Sequence, residues 1–207
     1  MSIVNIFSGV HKSCYESDVT TVQKWLSIGN SPDFFELGYP LLFLACHTNN
    51  IEIVRSLIQF GVTIDLAVSS EASDDQNINK TPLFEVSLLG FGQIARELLI
   101  FGAFVDRVVK GKTPIEVAAE NGHLETVNVL LEYKAGWGDI DLEMYGRTGS
   151  FVSDDSEGPV DLLQRAGFLA LSNGHVSIAD TLFNAHFMQQ LFLANLLESR
   201  TAASVAG

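Results

Sequence analysis

Gly90-Phe91-Gly92-Gln93-Ile94-Ala95 fits G-x-G-x-x-A, the pattern with which a strand-to-helix turn holds a dinucleotide pyrophosphate. Gly111-Lys112-Thr113 resembles the end of a phosphate-binding loop, but the earlier glycine that such a loop needs is replaced by Asp106, whose carboxylate repels phosphate. Nucleophile chemistry would have to use Cys14 or Cys46 with one of five scattered histidines, His11, His47, His123, His175 and His186. Nothing supplies the orienting third group or the oxyanion site that such a pair requires. No His-x-x-x-His or Cys-x-x-Cys pair gives ligand spacing, so no metal and no cofactor are expected. Acid–base work by carboxylates such as Asp141 and Glu143, in a hydrolase or transferase, is the remaining catalytic alternative. No spacing supports it, and no enzymatic activity is expected. Asn79-Lys80-Thr81 has the form of a glycosylation sequon, but in a chain expected to be unsecreted it carries no meaning.

Most of these residues recur at fixed intervals. Thr81-Pro82-Leu83-Phe84 and Thr113-Pro114-Ile115-Glu116 lie 32 residues apart. Each is followed, nine residues after its Thr, by Gly90 or Gly122, and then by an apolar run, Ile94–Leu99 or Val127–Leu131. The first run ends in Gly102-Ala103 and the second in Lys134-Ala135, where a glycine is expected. Pro40-Leu41-Leu42-Phe43 opens a similar unit with Asn49 in the glycine place and Gly61 at its end; Asn tolerates the left-handed turn next best. Ser8-Gly9-Val10-His11 opens a more polar unit ending at Gly29, and Gly174-His175-Val176 repeats the turn of Gly122-His123-Leu124.

This pattern resembles the ankyrin repeat, with its period near 33 residues and its T-P-L-H-x-A opening. The resemblance covers most of the chain, as one domain of about five degenerate units near 8–39, 40–80, 81–112, 113–164 and 165–184, then a C-terminal helix at 185–200 that folds over the last unit as a cap and a frayed tail at 201–207. It implies an all-α solenoid of stacked helix pairs. In each unit Pro sets the first helical turn, the glycine ends a short inner helix, and an outer helix returns with a buried stripe such as Val127, Leu130 and Leu131. The dinucleotide pattern at Gly90 then coincides with a repeat turn between two helices and is structural. His123 and His175 share one repeat position, and His11 matches the opening histidine. Cys14 and Cys46 also share one, which separates them by a helix spacing too wide for a disulfide and makes them buried thiols.

Two intervals exceed the period, by about nine residues within Leu66–Asn79 and about twenty within Gly136–Gln164. The family projects hairpin fingers there, beside its binding face. Glu71, Asp74 and Asp75 lie in the first insertion. The second holds Asp139, Asp141, Glu143, Asp154, Asp155, Glu157 and Asp161 against Arg147 alone. It also holds Trp137 and Tyr145, aromatics among carboxylates, the composition of a hot spot for a basic protein. The expected docking face joins these residues and Phe104 to inner-helix residues His47, Leu88, Glu120 and Asn121.

The bulk figures agree with a protein partner. With 207 residues, 47% apolar residues and a net charge of −13, the chain has a sizeable core and an acidic surface. Such a surface repels nucleic acid and anionic membrane. The longest uncharged stretch near the C-terminus, Thr181–Leu197, holds Asn184, Gln189, Gln190 and Asn195, too polar for a membrane span. Two cysteines and a first segment without a basic, then apolar, leader point to the cytoplasm. The expectation is an inhibitor or immunity-type protein for a basic partner such as a nuclease toxin or a host or defence factor. The alternative is a scaffold or homo-oligomer that assembles through the C-terminal helix, where Phe187, Met188, Leu191 and Phe192 exceed one buried stripe.

Overall fold

The computed structural model describes residues 9–72, 77–136 and 162–205. The described residues form ten helices: α1 Gly9–Tyr15, α2 Val19–Ser27, α3 Leu41–His47, α4 Ile51–Gln59, α5 Pro82–Leu89, α6 Gly92–Ile100, α7 Pro114–Glu120, α8 Leu124–Glu132, α9 Leu162–Ser172 and α10 Val176–Val205. A two-residue strand pair, β1 (Phe35–Glu36) and β2 (Tyr39–Pro40), precedes α3 with Phe35 opposite Pro40 and Glu36 opposite Tyr39. The odd helices pack on one another in the order α1, α3, α5, α7, α9, and the even helices stack behind them from α2 to α10. Five helix pairs therefore form one all-α solenoid.

Local chemistry explains where each helix begins and ends. Pro82 and Pro114 are the first residues of α5 and α7, where a missing N–H costs nothing. The Thr81 hydroxyl accepts from Phe84 N at 3.3 Å, and Glu116 Oε2 accepts from both the N–H and the hydroxyl of Thr113, at 2.8 and 2.9 Å. Between inner and outer helix the chain passes through a left-handed residue in every unit: Ser17, Asn49, Gly90, Gly122 and Gly174. After the outer helix it does so again at Gly29, Gly61, Gly102 and Lys134. Lys134 thus takes the conformation of the missing glycine, at φ +64°.

The core runs through the stack rather than sitting in any one pair. Leu83, Ile94, Leu98 and Ile115 are fully buried, each worth about 1.5–3 kcal/mol. Ala118 and Ala119 allow inner helices to approach closely, and both are without exposure. Neither half of a helix pair could bury such a face alone, so neighbouring units hold each other folded.

The C-terminus departs from the sequence expectation. Instead of a separate helix beginning at 185, α10 runs without a break from Val176 to Val205; the last two residues of the expected tail, 206–207, lie outside the described residues. His186 stands where Gly29, Gly61 and Gly102 end the other outer helices, and no Gly or Pro follows until Gly207. Nothing in the sequence stops the helix.

Candidate protein-docking face

Two hairpins stand at the entrances to inner helices. Leu37 and Gly38, at φ +52° and +80°, turn β1 into β2 ahead of α3; Lys110 and Gly111, at φ +51° and +79°, turn Val109 back to Lys112 ahead of α7. Two consecutive positive φ values define the tight turn whose twist matches that of paired strands. Because α3 and α7 belong to the same row, both hairpins lie on one edge of the solenoid. Their tips are apolar and open: Phe35, Leu37 and Val108 are exposed. Phe34, beside the first tip, touches the rings of His11 and Trp25. Arg107 and Lys110 flank Val108, so the second tip is basic, while Glu36 makes the first acidic.

Each hairpin is anchored from beneath. His11 is buried in α1 and its Nε2–H donates to the Tyr39 carbonyl at 2.8 Å, with Glu36 Oε2 3.4 Å from Nδ1. Burial holds the His11 imidazole below its ordinary pKa. Ser69 N donates to the Gly38 carbonyl at 2.9 Å, so residues of the first insertion pack on the first tip. Under the second hairpin, Phe84, Leu88, Val109 and Val117 form an apolar cluster apart from the main core.

The stack brings His47, Leu88 and Glu120 together, one at the same place near the end of each of α3, α5 and α7. Two of the three are engaged. His47 Nδ1 lies 2.8 Å from Glu85 Oε1, and Glu120 Oε2 is 2.5 Å from Lys112 Nζ. Leu88 packs in the cluster beneath the second hairpin, and Asn121, one residue on from Glu120, donates to the Val117 carbonyl at 2.8 Å. Phe104 is exposed, and its backbone N–H donates to Asp65 Oδ2 at 3.1 Å. Trp137, Asp139, Asp141, Glu143, Tyr145, Asp154, Asp155 and Glu157 lie outside the described residues, as do Asp74 and Asp75.

Sequence reasoning missed the hairpin tips and the buried carboxylate Glu85. Leu37-Gly38 after Phe34-Phe35-Glu36, and Lys110-Gly111 after Val108-Val109, were the available signal for a two-residue turn. Glu85 is visible only as a charge inside the apolar run Pro82–Leu89.

The glycine-rich hexapeptide has no room for a phosphate. A Cβ placed on Gly90 would meet His123 Nδ1 at 2.4 Å, and His123 Nε2–H donates to the Leu88 carbonyl at 3.0 Å. His175 covers Gly122 in the same way, at 2.6 Å. Among the described residues no group of three or more His, Cys, Asp or Glu is placed to hold a metal ion, and no helix is long and apolar enough to cross a membrane.

The loops between units are stapled by a recurrent carboxylate. Asp33 accepts from Thr63 N and Oγ1 at 2.7 and 2.6 Å, Asp65 from Phe104 N, and Asp106 from Gly136 N at 3.0 and 2.9 Å. Each Asp stands four residues after the glycine that ends an outer helix, and each receives the backbone two residues after the matching position of the next unit. A model for ankyrin repeats in three copies matches residues 63–143, and one for a single ankyrin repeat matches residues 37–66. The chain belongs to the ankyrin-repeat family. No curated protein matches it. As an ankyrin-repeat chain it is a protein–protein interaction module of a generally non-catalytic kind, so a protein partner is implied.

Proposed function

We propose that this ankyrin-repeat chain captures a basic protein on its hairpin edge and thereby inhibits it, in the manner of an immunity-type protein. The observation that carries the reading is the pair of apolar tips, Leu37 and Val108, exposed on the edge where the inner row also presents His47, Leu88 and Glu120. Exposed apolar side chains on rigid hairpins act as anchors at low entropic cost. The net charge of −13 supports a basic partner, because an acidic body attracts one over a Debye length of about 8–10 Å and speeds the encounter. A basic protein held this way has its own anion-binding surface covered.

The test is affinity capture followed by identification of what is held. Wild type is compared with a Leu37→Glu, Val108→Glu variant and with a Trp137→Ala variant in which Asp154, Asp155 and Glu157 are made neutral. A basic protein retained by wild type and lost from either variant supports the reading. Retention of the same proteins by both variants, or capture of acidic proteins only, overturns it.

A further inference from the structure

The fifth helix pair ends the stack with a face that nothing described covers. Phe168 of α9 stands in the register of Phe84, which is 6% exposed because Val109 and Val117 of the following unit pack on it; Phe168 is 58% exposed. Leu171 stands in the register of Ser87, fully buried, and is 42% exposed. The face continues onto α10. Phe168 meets Phe183 edge to face at 5.4 Å, and Phe187 and Leu191 follow at four-residue intervals on the same side of that helix. Gln189 and Leu193 lie on the opposite side and are buried.

We infer that this end face binds the end face of a second copy of the same chain. Charge selects the occupant. Asp180 is the one Asp, Glu, Lys or Arg between Val176 and Leu197, and Arg165 of α9 is paired with Glu116, so the face is close to neutral on a chain of net charge −13. Two such chains meet here without the repulsion they would meet elsewhere, whereas a basic protein gains nothing from it. Area agrees: Phe168, Leu171, Val176, Phe187, Met188 and Leu191, each 42–64% exposed, supply roughly 600 Å² of apolar surface, near the ~800 Å² that each side of a standard interface buries. Shape agrees as well. A two-fold axis lays the open sides of α9 and α10 of one copy on the same sides of the other, helix pair on helix pair, so the one apolar patch is covered in both copies at once.

The face is distinct from the hairpin edge, so its test is independent of partner capture. Sedimentation equilibrium at about 0.15 M salt compares wild type with Phe187→Glu, Leu191→Glu and, separately, with Asn184→Glu. The last puts a charge on an already exposed polar position and leaves the fold intact. Wild type is expected to be a dimer at about 10–100 μM, with association weakened about tenfold or more in both variants by the juxtaposed charges. Phe60→Glu, on an exposed outer-helix end, should leave the dimer unchanged. A monomeric wild type at ~100 μM overturns the inference. So does a dimer that survives Asn184→Glu, or one that is lost in Phe60→Glu instead.

Discussion

Glu85→Gln isolates the most consequential buried charge in the solenoid. Glu85 is 2% exposed, with His47 Nδ1 at 2.8 Å from one carboxylate oxygen and Lys80 Nζ at 3.0 Å from the other. The amide keeps the shape and removes the charge, stranding Lys80, whose side chain is 12% exposed. Removing one member of a buried pair costs about 3–5 kcal/mol. Because His47 is a third exposed and stays hydrated, the lower end applies, about 3 kcal/mol or a fall in Tm of about 6–12 °C. The assay is urea unfolding followed by circular dichroism, with an unchanged slope showing that stability alone has moved. Burial by itself raises the Glu85 pKa, but the hydrogen bond from His47 and the charge and hydrogen bond of Lys80 outweigh it and hold the carboxyl below its ordinary 4.5. A depressed carboxylate stabilises fully above its unfolded value and loses that contribution as pH falls through the folded one. The gap between wild type and variant is therefore widest at neutral pH and closes as pH drops below about 4.5. Leu44 and Val117 hold the same register in neighbouring units, so Glu85→Leu with Lys80→Met should recover most of the loss. A neutral-pH gap under about 0.5 kcal/mol, or one that persists in acid, would refute the reasoning.

Three further outcomes follow from backbone and burial. Lys134→Gly should raise stability by about 1 kcal/mol, seen as a higher urea midpoint, because an exposed side chain at φ +64° gives way to the residue its turn prefers. Gly90→Ala should lower stability by about 2–3 kcal/mol, since φ is +82° and the new methyl meets the His123 ring; adding His123→Ala should return part of that loss, and no return would remove the ring from the explanation. Cys14 and Cys46 should resist a thiol reagent at about pH 8 until urea is added, because burial pushes the Cys14 thiol up to about 12 and the Cys46 thiol well above its ordinary value. Prompt labelling of native protein would contradict their burial.

The period was legible because it is enforced by steric demands that only a few residue types meet. Thr-Pro openings and left-handed turns cannot drift without strain, so Thr81, Gly90, Thr113 and Gly122 announced the register, and Asn49 could be placed by analogy. The hairpins were less visible, since Leu37 and Lys110 are unremarkable until their φ values are known and only the following glycine hints at the turn. The Asp33, Asp65 and Asp106 staples recur with the period, yet each acts on backbone about 30–40 residues away, which spacing alone does not reveal. The continuous α10 was missed for a related reason. The period implied a stop near residue 185, whereas the side chain at 186 that should have enforced it is histidine.

How the carboxylates are used divides the molecule's electrostatics in two. In the described body many are spent inward or between units: the three Asp staples, the buried carboxylates Glu85 and Glu116 with their cation partners, and Glu97 and Glu132 bridging to Arg55 and Arg96 of the preceding units. Such acids lock adjacent pairs together, and for the glutamates a cation beside each carboxylate offsets its charge at long range. Of the 25 acidic residues, seven lie in residues 137–161, where Arg147 is the one Lys or Arg. In the proposed docking mode, long-range attraction scales with the net charge of −13, while the apolar hairpin tips make contact and their own charges, Glu36 on one and Arg107 and Lys110 on the other, leave little net charge. Raising the salt should therefore slow partner association far more than it hastens release, because the charges that steer are different residues from those that grip.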